Sequence, residues 1–349
     1  MIQGICIGSF EGVYNCRMSK ISIPWEQGDR QPPAETWIQT ELARGGIDVL
    51  GEIEQFHIRP WSIVLRVVTS SGLFYFKATG PQLGFETGLT AFLAQLYPQV
   101  LPQLIATDTS RGWLSMRDSG VPLRAFIKKE HSIKRWQEIL PAYFEMQKGL
   151  RSHVDEMLAL GVTDRRLERL PSLFIDLIQD ESSMLLDKPE SLTSAEYQRL
   201  LDSVPRFEQM CTRLGVFGIT ESLNHDDFHD GNIFLQDGRF SFTDWGDSAV
   251  THPFLSLVVM LRGVENSLDL PPDAREVQTL REWYLALWEE FGSPAELKQI
   301  AWLAERIGYV NRALTWRLNI SRLPENLRPE YALAVPGYLK EFLDSLEVK

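Results

Sequence analysis

The sequence predicts an α+β fold, with a β-rich N-terminal part preceding a larger, mainly helical part. Three observations carry this prediction. β-Branched and aromatic residues with partial alternation fill positions 49–56, 62–69 and 73–79, the texture of strands. After residue 120, apolar residues recur at helical spacing instead, beginning with Trp136, Ile139, Leu140, Tyr143 and Phe144. No internal repeat or low-complexity segment breaks the order, and strands grouped ahead of helices are the α+β arrangement.

Each element has its own justification. Ser70-Ser71-Gly72 is turn chemistry, so the second and third strands should form a hairpin. A helix is predicted over 85–96, where Leu89, Phe92, Leu93 and Leu96 share a face. Short strands follow at 101–107 and 112–117, and the texture changes at 118–120. The division is therefore 35–118 for the β-rich part and 119–349 for the helical part. Pro141 should kink the first long helix. Thr193 and Glu196 form a capping-box pattern before a helix that ends near Gly215. Pro272 opens a helical segment reaching residue 290, and Ser293-Pro294 reads as the N-cap and first residue of another that runs toward Leu318. Residues 1–34 are expected to be an N-terminal arm or leader. They lack the basic start of a signal peptide, and Met18 offers a second start.

Composition narrows the function. A chain of 349 residues has room for two lobes, and a net charge of −12 argues against nucleic acid, whose phosphates need clustered Lys and Arg. The three cysteines, Cys6, Cys16 and Cys211, are dispersed and odd in number, which suggests reduced thiols in a cytoplasmic protein. The apolar run at 253–261 is too short to span a bilayer and reads as a buried helix. A monomer or homodimer without membrane or nucleic-acid partners is expected.

The chemistry concentrates at 224–232, Asn-His-Asp-Asp-Phe-His-Asp-Gly-Asn. Asp and Asn favour turns for their own local hydrogen bonds, so a solvated turn is one reading. A metal hydrolase built on His225-Asp226 is a second, but it needs another upstream histidine nearby, and the nearest is distant His153. The third reading is a phosphoryl-transfer loop. His225, Asp227 and Asn232 give H-x-D-x-x-x-x-N, then a hairpin-like stretch turns at Asp237-Gly238 and leads to Asp244-Trp245-Gly246. That order matches kinase-type signatures.

These residues resemble the aminoglycoside phosphotransferase and choline kinase branch of the protein-kinase-like fold. That branch typically reads His-Gly-Asp-Leu-His-x-Gly-Asn and then Ile-Asp-Trp. The resemblance extends over most of residues 45–320 and is most specific at 225–246. It implies a two-lobed protein-kinase-like fold, an antiparallel β lobe with one helix over a helical catalytic lobe. It also implies ATP or GTP as phosphate donor, Mg²⁺, and a small hydroxylated acceptor. Asp227 would accept the hydroxyl proton, Asn232 and Asp244 would hold Mg²⁺, and His225 would brace the loop. Lys77 on the third strand would hold the α- and β-phosphates, paired with Glu86 on the following helix. Backbone groups of Met116, Arg117 and Asp118 would meet the adenine edge. Residues 57–61 would cover the phosphates; they contain no glycine, which leaves Arg59 and Ser62 as further candidates.

Several departures matter. The family's Gly before the catalytic Asp is Asp226 here, and its Gly-Asp-Pro with a later Asp becomes Thr251-His252-Pro253 with Ser256. These predict altered bracing of the loop, and Asp226 next to Asp227 predicts a raised pKa or a gathered metal. A protein kinase's long segment between its D-F-G and A-P-E signatures is missing, which favours a small acceptor. Asp155, Asp247 and Glu265 are candidate carboxylates for a cationic acceptor, and Trp283, Tyr284, Trp288 and Trp302 line a pocket or fill the core. The alternatives are a metabolite kinase for an amino alcohol, sugar or homoserine-like compound, and a nucleotide-binding pseudokinase serving as an interaction module.

Overall fold

Strands β1 (Glu54–Arg59), β2 (Ser62–Thr69) and β3 (Gly72–Thr79) fold back on one another at Pro60-Trp61 and Ser70-Ser71, where the sequence supplies turn residues. In this computed structural model residues 31–80 and 83–347 are described, so positions 1–30 of the expected arm, with Cys6 and Cys16, lie outside the described residues. With β4 (Leu104–Asp108) and β5 (Trp113–Arg117) the strands make an antiparallel sheet in the order β1-β2-β3-β5-β4. The first strand starts later than its apolar run suggested. Gly51 has φ 129°, and Val49 makes an isolated bridge to Thr69. Residues 57–59 are consequently paired strand, opposite Val64, Ile63 and Ser62, and the expected phosphate-covering loop shrinks to a two-residue turn.

Period-2 alternation sorts β3 into two faces. Phe74, Phe76 and Ala78 point outward, where Ala34, Ile38 and Leu42 of helix α1 (Gln31–Arg44) cover them. The sequence reading missed α1. Its apolar stripe is short, Ala34, Trp37, Ile38 and Leu42, and its opening proline pair, tolerated in a first helical turn, read as leader. Lys77 lies on the opposite face, toward helix α2 (Phe85–Leu96), which forms where its spacing predicted.

The helical part follows from β6 (Val121–Pro122) and α3 (Leu123–Glu130). Helix α4 (Trp136–Leu150) contains Pro141, and a short 3₁₀ turn separates it from α5 (Val154–Ala159). Next come β7 (Thr163–Asp164), α6 (Leu170–Ile178), α7 (Glu181–Met184) and α8 (Ser194–Val216), which opens on the Thr193–Glu196 capping box. Strand β8 (Ser222–Asn224) delivers the catalytic-loop candidate, and β9 (Ile233–Gln236) leaves it. Strand β10 (Arg239–Phe242) returns through Asp237 and Gly238, both at positive φ as a tight hairpin turn demands. Strand β11 (Ala249–Thr251) pairs with β7 and β8. Helices α9 (Leu257–Leu268), α10 (Arg275–Ala286), α11 (Pro294–Ser321), α12 (Arg328–Tyr331) and α13 (Ala334–Ser345) complete the lobe. No helix among the described residues is long and apolar enough to cross a membrane.

Two features tie the lobe to the cleft. Trp61 in the β1–β2 turn meets Tyr331 at 5.2 Å and Trp316 of α11 at 6.3 Å between ring centroids, over Ile58, Leu323 and Leu327. The turn above the cleft is thus clasped to the helical lobe by aromatic burial. Ser256, where the family carries Asp, receives or gives hydrogen bonds to Tyr143 Oη (2.9 Å), Asn224 Oδ1 (2.7 Å) and Gln147 Nε2 (3.1 Å). A neutral network braces β8 in place of a carboxylate.

His252 is fully buried; its Nδ1 accepts from the Phe254 N–H at 3.3 Å, and its Nε2 has no hydrogen-bond partner among the described residues. Burial pushes its pKa down from 6.5 to about 3. The unfolded chain therefore binds the proton more readily, and this contribution to stability is full above pH 6.5 and is lost as pH falls toward 3. At pH 5 the loss from this one group will be about 2 kcal/mol. Thermal unfolding from pH 8 to pH 5 checks it: His252→Asn, which keeps a capping acceptor, will flatten the decline, and equal slopes in both proteins would refute the assignment.

Candidate active site

The loop at 225–232 is held by its own side chains. Asp227 N–H reaches His225 Nδ1 at 3.3 Å, and His225 Nε2 lies 2.8 Å from the Thr243 carbonyl. Nε2 must therefore carry the proton, and burial, its largest influence, lowers the pKa of His225. Phe228 stacks on Tyr143 at 3.6 Å, and Trp245 packs 4.4 Å from the His225 ring. His225 thus sits between the loop and the hairpin and touches no cleft group other than Asp227 N–H among its hydrogen bonds.

Hairpin register explains how residues 232 and 244 come together. Ile233 pairs with Phe242, and the Thr243 N–H and Oγ1 both donate to the Asn232 carbonyl, at 3.0 and 3.1 Å. Asn232 therefore lies across from Thr243, one residue before Asp244. Its Nδ2 donates to the Asp227 carbonyl and to Asp227 Oδ2, both at 3.0 Å, which turns the amide oxygen away from Asp227. Asp244 adopts the left-handed region, φ 67°, where Asp is one of the few tolerated side chains.

From the β lobe, Lys77 Nζ reaches Glu86 Oε1 at 2.6 Å and Asp244 Oδ1 at 2.5 Å. Burial works against the ammonium, yet Asp244 and Glu86 more than offset it, and its pKa lies above the ordinary lysine value. For Glu86, burial is the largest influence and pushes the carboxyl up to about 7 despite Lys77. Its Oε2 is buried without a hydrogen-bond partner among the described residues, 3.1 Å from where a Cβ on Gly246 would stand. Glycine at 246 thus lets the triplet close against Glu86.

Asp227 is opposed by burial, but His229, 3.5 Å from its Oδ2, and Arg312, 3.5 Å from its Oδ1, hold its carboxyl well below the usual range. Asp226 turns away from the cleft. Its side chain is buried and bonds to Asn224 (3.1 Å), Asn311 (2.5 Å) and Thr315 of the helical lobe. Its pKa is raised, but by burial and not by the neighbouring charge of Asp227 that the sequence suggested, and its position rules out gathering a metal in the cleft beside Asp227.

At the lobe boundary, Met116 pairs with Tyr75, the Arg117 N–H donates to the Gln103 carbonyl (2.9 Å), and the Asp118 N–H donates to the Leu73 carbonyl (3.0 Å). Two of the three N–H groups at this edge are committed inside the sheet. Arg117's guanidinium lies over Phe74 on the outer face, and Asp118 caps the Gly120 N–H. Among the other candidates, Tyr284 and Trp288 are core, and Trp302 carries Arg306 at 3.6 Å. Asp155 is exposed on α5, while Asp247 receives Arg312 Nη1 (3.1 Å) and Asn319 Nδ2 (3.0 Å).

Arg312 was not singled out by the sequence. It approaches Asp226, Asp227 and Asp247 at once. A faint signal existed: Asn311, Arg312, Thr315 and Asn319 put polar groups on one stretch of a helix that is otherwise mostly buried and apolar.

The profile of the phosphotransferase enzyme family, APH, matches residues 64–297. No curated protein sequence matches the chain. Among solved structures, a choline/ethanolamine kinase family protein from Mesorhizobium loti superposes with a TM-score of 0.60 at 13% identity, covering 90% of this chain and 95% of that one. Choline kinase LicA from Streptococcus pneumoniae gives 0.59 at 14%, covering 90% and 99%. An ethanolamine kinase of Plasmodium vivax gives 0.57 at 15%, covering 84% and 83%. At these identities the likeness speaks for the fold, which is protein-kinase-like, an antiparallel sheet lobe over a helical lobe. The family match over most of the chain adds the chemistry, and the chain belongs to the phosphotransferase enzyme family as a small-molecule kinase.

Proposed function

We propose that the protein transfers the γ-phosphate of ATP, with Mg²⁺, to a hydroxyl of a small amine-bearing acceptor. The observation that carries this reading is the bridge from Lys77, held by Glu86 in the β lobe, to Asp244 of the helical lobe, next to the Thr243 that is bonded to Asn232, which in turn holds Asp227. Lys77 neutralises the α- and β-phosphates, and Glu86 keeps its ammonium in place. Asn232 and Asp244 supply hard oxygen donors, a set that fits Mg²⁺ better than a softer metal. Bound there, Mg²⁺ would neutralise charge on the phosphate oxygens.

Asp227 orients the acceptor hydroxyl. It accepts the proton as the bond from the γ-phosphorus to the acceptor oxygen forms and the bond to the ADP oxygen breaks. The adenine edge meets backbone groups of Met116, Arg117 and Asp118.

The acceptor is assigned to the face of α9, α11 and α13 beyond Arg312. Tyr338 lies 5.8 Å from that guanidinium and 4.8 Å from that of Arg262, and Glu265, Glu305 and Glu341 gather with Arg262 and Arg281. Glu341 pairs with Arg262 and Glu305 with Arg281 at 2.8 Å, which leaves Glu265 as the carboxylate with no ion pair among the described residues and the group to meet an amine on the acceptor. Glu265 belongs to this group, and Asp155 does not. Choline, ethanolamine and macrolide kinases among the similar folds support the same class.

An ADP-release screen over aminoglycosides, macrolides, amino alcohols and sugars tests the reading. The expected result is Mg²⁺-dependent release with at least one amine-bearing compound. Nucleotide binding without release from any of them would favour the pseudokinase.

A further inference from the structure

We propose that Asp226 and Arg312 form a positioning lock through which helix α11 sets the Asp227 carboxylate; this rests on the role given to Asp227 above. Asp226 occupies a left-handed backbone position, φ 60°, which glycine would satisfy without penalty. The chain instead places a carboxylate there and buries it to 1% exposure. A buried carboxylate is tolerable only with a full set of donors. Those donors are Asn224 Nδ2 (3.1 Å), Asn311 Nδ2 (2.5 Å), Thr315 Oγ1, Arg312 Nη1 (3.4 Å) and Arg165 Nη1 (3.5 Å). Three of the five come from one stretch of α11, far from the loop in sequence.

Arg312 does more than neutralise Asp226. Its Nη1 donates to the Asp226 carbonyl at 2.6 Å and to Asp247 at 3.1 Å, while Nη2 reaches Asp227 Oδ1 at 3.5 Å. Two turns along the helix, Asn319 holds the other oxygen of Asp247. One helix therefore grips both sides of the cleft floor, the loop before Asp227 and the segment just after Asp244. A flexible glycine would leave the peptide at 226 free to swing; the lock fixes it, and with it the direction of the Asp227 side chain. The lock predicts sensitivity of turnover to α11, because a misplacement of about 1 Å at a reacting group can cost roughly 100-fold in rate.

The test compares Asp226→Gly, Asp226→Asn, Arg312→Gln and the Gly/Gln double variant. ATP turnover in Mg²⁺ is followed with the best acceptor found, and amide hydrogen exchange over residues 222–233 is measured in parallel. A lock predicts that kcat falls roughly 10- to 100-fold for Asp226→Gly and for Arg312→Gln. KM for ATP should stay within about twofold, Asp226→Asn should recover part of the rate, and the double variant should be no worse than the poorer single. An unchanged kcat in Asp226→Gly, a matching rise in KM, or multiplicative losses in the double variant would overturn it. If Asp226→Gly fails to fold, Thr315→Val and Asn311→Leu each remove one donor at similar volume; both must lower kcat, and full activity in both would overturn the lock. Absence of turnover in the wild type would count against the functional reading instead. Hydrogen exchange then judges the lock alone: faster exchange at 222–233 in the loop or donor variants supports it, and unchanged exchange refutes it.

Discussion

Asp227→Ala will reduce kcat by a factor on the order of 10² to 10⁴, the span a positioned general base contributes, while nucleotide binding persists. The two halves of this expectation rest on separate geometry. The proposed proton acceptor is a single carboxylate, and the groups that approach it, Asn232, His229 and Arg312, have no oxygen placed to substitute for it. The ammonium proposed to meet the phosphates, that of Lys77, is held by Glu86 and Asp244, and no hydrogen bond joins either of them to Asp227 among the described residues. Because Asp227 also accepts from Asn232, the isosteric Asp227→Asn serves as the control for loop geometry. Turnover is read from ADP release, and binding from calorimetry with Mg²⁺ and ATP. Equal turnover in wild type and Asp227→Ala would remove the residue from the mechanism.

Asp244→Ala will lower Mg²⁺-dependent nucleotide affinity by at least about 10- to 100-fold, the loss that even outer-shell partners of a metal site produce. The mechanism is loss of an anionic oxygen donor beside Asn232. A second effect must be separated from it. Position 244 has φ 67°, where alanine is strained by roughly 1–2 kcal/mol. Asp244→Asn tolerates that backbone and removes only the charge, so it isolates the metal effect. Lys77 loses one of its two carboxylates in either variant but keeps Glu86. The measurement is the ratio of ATP affinities with Mg²⁺ and with chelator. Asp244→Asn should bring that ratio close to one, and an unchanged ratio would dismiss Asp244 as a metal donor.

Much of this was legible because it is local. Helix α2 formed where Leu89 and Leu93 predicted, the Thr193 and Ser293 capping boxes both close, and Asp237-Gly238 turns the hairpin between Asn232 and Asp244. In each case the residues that encode the element are neighbours within a few positions. The phosphate-covering loop was misjudged because strand pairing, not composition, decides whether His57, Ile58 and Arg59 are loop or strand. Helix α1 was overlooked because Ala34, Ile38 and Leu42 acquire meaning only against Phe74 and Phe76. Ser256 looked like a weakened brace until Tyr143, Gln147 and Asn224 were seen to converge on it.

By itself the sequence set out the succession of strands and then helices, α1 apart, and singled out the groups proposed for phosphoryl transfer: Lys77, Glu86, Asp227, Asn232 and Asp244. Residue type and short spacing are enough for that, since turns, caps and hairpins are encoded within a few residues. Only the tertiary structure decided that Asp226 turns into the helical lobe, and that Arg312 stands behind both aspartates. Burial of a charge is settled by partners that lie 85 and 86 positions away in the chain, and no local pattern specifies them.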